Sequence, residues 1–266
     1  MTIARRFDVV TPHQAAVAQA YLAERARERH HLVVYLSGAH AYGFPSPDSD
    51  LDLKCVHVAP TGDLIGLTVR EGGAEQMTVI DGVEVDYGSN ELGGVLRGVL
   101  TGNGNYLERL LGALVLDADD ALLAAARPLV AAALSRRVAR HYGGFARAQL
   151  AAAEATPTAK KVLYVLRTAC TGRHLLETGT LETDLTALAP GYGLDVGALI
   201  ARKRTGERVA LAGAELAAWR ASLAAAIAAI DEAAARSALP AEPRAAATAD
   251  LDAWLREVRR RAWDAA

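Results

Sequence analysis

The hydrophobic and polar positions divide the chain into a first part with mixed periods and a second part with one. Thr11 followed by Pro12 predicts a helix start, because the hydroxyl caps free N–H groups and proline at the first helical position sacrifices no hydrogen bond. A helix is expected from about Pro12 to Arg29. The run HLVVYLSG is short, rich in Val and Leu, and stops at Ser37–Gly38, which predicts a buried strand entering a turn. After GAHAYGFPSPDS, the residues Leu51, Leu53 and Cys55 alternate with Asp50, Asp52 and Lys54. This is a period of two, and it puts both aspartates on one face of a second strand.

From Asp63 to Gly88 the pieces LIGLTV, AEQMTVI and VEVDYG are expected as strands, separated by the turn signals EGG and DG. Beyond Ser89 the spacing becomes three and four, as in Leu96, Val99, Leu100, Leu107, Leu110 and Leu111, and helix is expected to the end. Pro157, Pro190 and the segment around Pro240 break this region into pieces. The expected fold is α+β. A small mixed sheet over residues 1–116 carries the chemistry, and an α-helical domain follows over 117–266, with the boundary near Asp117.

Composition adds little to this picture. Of 266 residues 52% are hydrophobic, many of them alanine, and the net charge of -2 gives no global attraction to nucleic acid or anionic membrane. Cys55 and Cys170 are too far apart in sequence for a C-x-x-C pair, which fits a reducing compartment. No signal-peptide core and no uninterrupted apolar stretch of membrane-span length is present, so a cytoplasmic protein with no membrane partner is expected. The sequence leaves the oligomeric state open.

The candidate chemistry lies in VVYLSGAHAYGFPSPDSDLDLKCV. Gly38, at a strand end, admits a triphosphate to backbone N–H groups. Asp50 and Asp52 at i and i+2 set two carboxylates about 6–7 Å apart, a spacing that suits divalent cations between protein and phosphate. Such chemistry needs a third carboxylate, and Asp86 in VEVDYG supplies it, with Glu84 on the same strand face as the alternative. Cys55 and His57 fall on the opposite face and are assigned to the core. His40 and Tyr42 either touch a nucleotide or pack the turn. Asn103, Asn105 and Glu108 read first as cap residues. Lys160, Tyr164 and Arg167, at i, i+4 and i+7, form one helical stripe that binds phosphate or is a solvated basic face.

These residues resemble the nucleotidyltransferases of the DNA polymerase β superfamily, and within it the RlaP-like bacterial and phage group. GAHAYGFPSPDSDLDLKCV is similar to that group's Gly-Ser-His/Arg-Ala-Tyr-Gly followed by Ser-Asp-x-Asp-Leu-Arg. LTGNGNYLERL is similar to its Gly-Asn-Pro-Asn with a downstream Glu, and KKVLYVLRTACTGRHLLETG to its helical segment. The resemblance runs from Val33 to Gly179.

It implies Mg2+ or Mn2+ held by Asp50, Asp52 and Asp86, an NTP as substrate, and an RNA end as acceptor. It also implies nucleotide contacts from Gly38, Ala39, His40, Tyr42, Lys54, Lys160, Tyr164 and Arg167. Ala39 stands where the group has serine, Lys54 where it has arginine, and Gly104 where it has proline. Ala39 weakens the expected nucleotide contact and motivates a second reading, an NTP-binding sensor or interaction protein. AMP transfer to protein or to a small molecule is a third.

Overall fold

A computed structural model describes residues 2–206 and 209–264. Its five strands are β1 (His30–Leu36), β2 (Leu51–Val58), β3 (Ala74–Ile80), β4 (Val83–Glu91) and β5 (Val115–Ala118), ordered β3-β4-β2-β1-β5. The β2–β4 pair is parallel and the others are antiparallel, so the sheet is mixed and the fold is α+β. The helices are α1 (Pro12–Arg25), α2 (Gly38–Ala41), α3 (Thr61–Leu64), α4 (Leu92–Leu100), α5 (Gly104–Leu111) and α6 (Asp120–Ala132). They continue with α7 (Val138–Ala155), α8 (Ala159–Thr178), α9 (Leu185–Leu188), α10 (Gly197–Lys203), α11 (Gly213–Arg236) and α12 (Ala245–Asp264).

The chain divides into two compact units. One comprises residues 1–38, 50–134 and 243–266, and the other 39–49 and 135–242.

In the sheet unit, α1 begins as expected. The Thr11 side chain accepts from the Gln14 N–H, and the Gln14 side chain accepts from the Thr11 N–H. Its residues Val17, Ala18, Tyr21 and Leu22 pack against one sheet face, built from Val34, Leu36, Leu51, Leu53, Cys55, Val85 and Tyr87. Truncating any of these leucines to alanine removes about 2–5 kcal/mol of packing. The other face carries Tyr35, Lys54 and Asp52, with Tyr35 paired to Lys54 in the β1–β2 register. The β3–β4 hairpin closes at Asp81–Gly82, both at positive φ (49° and 80°), between the paired Ile80 and Val83. This is the geometry a two-residue Asp-Gly turn favours.

Three expectations are corrected. LIGLTV is no strand: α3 ends at Leu64, and Ile65, Leu67 and Val69 project into solvent beside a loop held by Arg70 N–H to Asp63 O at 2.7 Å. Alternation without a partner edge does not make a strand. The region after Ser89 is not helical throughout, because Glu91 ends β4 and Val115–Ala118 forms β5, paired with β1 at Val34 and Asp117. A boundary at 116/117 would therefore cut a sheet strand. The division also sends α12 back to the sheet unit, where Thr61 Oγ1 donates to Arg259 O at 2.6 Å and Arg259 pairs with Glu91.

The helical unit is organised around α8. Thr158 caps its start by accepting from the Lys161 N–H, and Gly179 ends it at φ 71°. Gly172 permits close approach of α7, since a Cβ there would lie 2.4 Å from the Tyr142 Cβ. Among the described helices, α11 reaches the length and apolar composition of a membrane span, with a mean hydropathy of 1.3 in its most apolar stretch. Its Leu216, Leu223, Ile227 and Ile230 are buried, and α11 packs against α7 and α8.

Candidate active site

The carboxylates gather on one face of the sheet. Asp52 on β2 stands directly opposite Asp86 on the parallel strand β4. Lys54 pairs with Asp86 at 2.8 Å and reaches Asp52 at 3.9 Å. Asp50, half-buried, lies one residue before β2. Glu84 is exposed and two residues from the position opposite Asp52, its β3 partner being Val79. Burial first, then the charges of Asp50 and Asp86, pushes the Asp52 carboxyl up to about 7, while Lys54 acts in the other direction.

Gly38 is fixed by this arrangement. Its φ is +66°, and a Cβ there would stand 1.8 Å from Asp52 Oδ2. The adjacent Ser37 N–H donates to Asp52 O at 2.8 Å. The strand-end glycine is therefore a close contact of a carboxylate, beyond its expected freedom toward phosphate.

The donor set suits a hard divalent cation, since all three candidates offer carboxylate oxygens and positive charge favours the ionised form of Asp52, which burial first and then the Asp50 and Asp86 charges disfavour. Among the described residues, however, no three side chains of His, Cys, Asp or Glu converge at metal-ligand distance. The Lys54 ammonium lies against Asp86 and near Asp52. Like-charged carboxylates separate or recruit a cation, and here lysine is that cation.

Cys55 and His57 lie on the face away from the aspartates. His57 Nδ1 meets Ser89 Oγ at 2.7 Å and Nε2 meets Glu71 O at 2.6 Å, while burial lowers its pKa. Burial pushes the free Cys55 and Cys170 thiols up to about 11 and about 12. Asn103 caps α5 by accepting from the Asn105 N–H at 3.0 Å, and Gly104 is the first helical residue.

In the helical unit, Ala39 and Tyr42 are buried and His40 is half-buried. Tyr42 is a packing centre. Its ring meets Tyr164 edge-on at 5.4 Å between centroids, and the Arg167 guanidinium lies 3.6 Å from the ring centroid. Lys160 Nζ lies 5.7 Å from the Tyr164 ring. The stripe is aligned as expected, but a solvated face does not describe Arg167, which is only 3% exposed.

The rest of the 39–49 segment is also fastened within this unit. Thr183 Oγ1 donates to Ala41 O at 2.9 Å, and Lys203 Nζ donates to Ser46 Oγ at 2.7 Å and Ser49 Oγ at 2.8 Å. Sequence reading missed Lys203, which sits in the basic run ARKR and is fully buried.

The pattern of RlaP, the RNA repair pathway DNA polymerase beta family, matches residues 15–257. The chain belongs to this family. The RlaP match runs through parts of both units and ends within α12. The chain is also similar to the uncharacterized protein MJ0002 of Methanocaldococcus jannaschii, at 27% identity over 158 residues, 59% of this chain and 64% of that protein. It thus spans less than two thirds of the length of that curated relative. A structural match is the nucleotidyltransferase-like protein from Exiguobacterium sibiricum, at 9% identity and a TM-score of 0.34, covering 93% of this chain and 80% of that one.

Proposed function

We propose that the protein transfers NMP from an NTP to an acceptor hydroxyl, with an RNA end as the acceptor. The supporting observation is the in-register pair Asp52 and Asp86, with Gly38 packed on Asp52 and Asp50 just ahead of it in the chain. In this reading Asp50, Asp52 and Asp86 hold Mg2+ or Mn2+, which when bound supplies charge stabilisation for the transferring phosphoryl group.

The chain's own residues do the rest. The backbone around Gly38 and Ala39 receives the triphosphate. Lys54 balances the carboxylates until the site is loaded. Asp86 accepts the acceptor's proton as the oxygen attacks the α-phosphorus and the bond to pyrophosphate breaks. Arg167 stabilises the Tyr42 segment by stacking, and Lys160, beside the Tyr164 ring, is the half-buried end of the stripe offered to a phosphate.

A second reading follows from Ala39, which offers no hydroxyl: a protein that binds NTP with little turnover. Incubation with each labelled NTP, magnesium or manganese, and pooled RNA, protein and metabolite acceptors separates the two. Label on RNA supports the proposal. Label on protein or on a small molecule moves the acceptor class, and NTP binding with no transfer favours the sensor.

A further inference from the structure

Arg109 on α5 is a cation without a carboxylate partner, on the sheet face that carries Asp52, Lys54 and Asp86. Its Nη1 donates to Cys55 O at 3.4 Å and, at close range, to Asn90 Oδ1. Asn90 shares a strand face with Asp86 by the period of two along β4. The guanidinium rests 5.3 Å from the Tyr106 ring centroid.

Among the described residues Arg109 enters no ion pair, and its Nε and Nη2 have no hydrogen bond within the chain. Burial lowers its pKa, yet an arginine keeps its proton in any environment of this kind. Desolvating a charge against neutral acceptors alone is costly unless an anion completes the site. Two carboxylates act on Arg109 through space without an ion pair: Glu75, exposed on the edge strand over Gly88, and the buried Glu108 that precedes it on α5.

The position along the strands selects which anion. Cys55 is three residues past Asp52, about 10 Å along β2, and Asn90 four past Asp86, about 13 Å along β4. Gly38 lies at the other end, beside Asp52 where Ser37 meets it. Arg109 is therefore on the far side of the carboxylates from the glycine turn. A phosphate there belongs to the acceptor rather than to the incoming nucleotide.

We propose that Arg109, held by Asn90 and Tyr106, binds a backbone phosphate of a polynucleotide acceptor behind its reacting end. The planar guanidinium fork, with one edge fixed and the other open, suits bidentate phosphate binding. This inference rests on the nucleotidyl-transfer reading and names the acceptor contact within it.

The test uses the full chain with magnesium. Anisotropy of a fluorescein-labelled single-stranded RNA is measured across salt concentrations, and the KM for ATP is measured separately. Arg109→Gln should weaken RNA binding about tenfold and reduce the slope of log affinity against log salt by about 0.7. Arg109→Lys should recover part of both, and the KM for ATP should stay at the wild-type value. Arg97→Gln, an exposed arginine on α4, is the control and should change neither.

If Arg109→Gln melts early, Asn90→Ala and Arg109→Lys carry the test, each with weakened RNA binding at wild-type melting temperature. Unchanged RNA affinity and salt slope in Arg109→Gln overturn the proposal, as does a raised KM for ATP with RNA binding intact, or a wild-type protein that does not bind the RNA. Absence of label transfer from any NTP to any acceptor by the wild type overturns the underlying reading instead, whatever the RNA titration gives.

Discussion

Asp52 and Asp86 face each other across the parallel strands β2 and β4, and a single lysine, Lys54, lies against Asp86 and near Asp52. Burial, and after it the charges of Asp50 and Asp86, raises the Asp52 carboxyl, and the one ammonium offsets this only in part.

A pH dependence of stability follows. Asp52 titrates at about 7 in the folded chain, against an ordinary value of 3.8. Between those values the folded state binds more protons than the unfolded one, so stability falls as pH rises through this window and levels off above it. Asp52→Asn removes the effect. Its metal-free melting temperature should exceed that of the wild type at pH 8 and match it near pH 4, as read by thermal unfolding in a chelator. Parallel profiles for the two proteins would contradict this account of Asp52.

Gly38 and Gly82 provide a matched pair of glycines. Both have positive φ, but a Cβ at Gly38 would strike Asp52 Oδ2 at 1.8 Å, while one at Gly82 would meet nothing within 4 Å. Gly82→Ala should lose only the conformational cost of about 1–2 kcal/mol. Gly38→Ala should lose more and also displace Asp52, reducing nucleotidyl transfer at least a hundredfold. Denaturant unfolding together with a transfer assay checks both, and equal behaviour of the two variants would remove Gly38 from the site.

The helical stripe predicts unequal effects. Arg167 is buried on the Tyr42 ring, whereas Lys160 stands half-buried beside Tyr164. Arg167→Ala should destabilise by about 2 kcal/mol or more, as expected for a desolvated cation–π contact. Lys160→Ala should stay within about 0.5 kcal/mol of the wild type in stability while raising the KM for a phosphate-bearing substrate. Equal and negligible changes in both variants would return the stripe to a solvated face.

Much of the sheet unit was legible because its signals are local. Thr11–Pro12, the alternation from Asp50 to Cys55 and the Asp81–Gly82 turn each fix an element within a few residues. β5 was not legible. Four residues are too few to show a period, and only pairing with β1 makes them a strand. LIGLTV shows the converse, a strand-like text that no sheet edge receives.

The return of α12 to the sheet unit depends on contacts such as Thr61 with Arg259, which no local pattern encodes. In the sheet unit the aspartates and Gly38, and in the helical unit the alignment of Lys160, Tyr164 and Arg167, were readable from spacing. The burial of Arg167, the Lys203 bonds to Ser46 and Ser49, and the link from Arg109 to Asn90 are long-range and were not.

The central claim is that the carboxylates of β2 and β4 form one transfer site, and the choice between Asp86 and Glu84 tests it most directly. Single-turnover transfer of label from an NTP to the acceptor should be measured for Asp86→Asn and Glu84→Gln, with NTP binding in magnesium followed in parallel. The account predicts loss of nearly all transfer in Asp86→Asn with nucleotide binding retained, and near wild-type transfer in Glu84→Gln. Wild-type transfer by Asp86→Asn would contradict it.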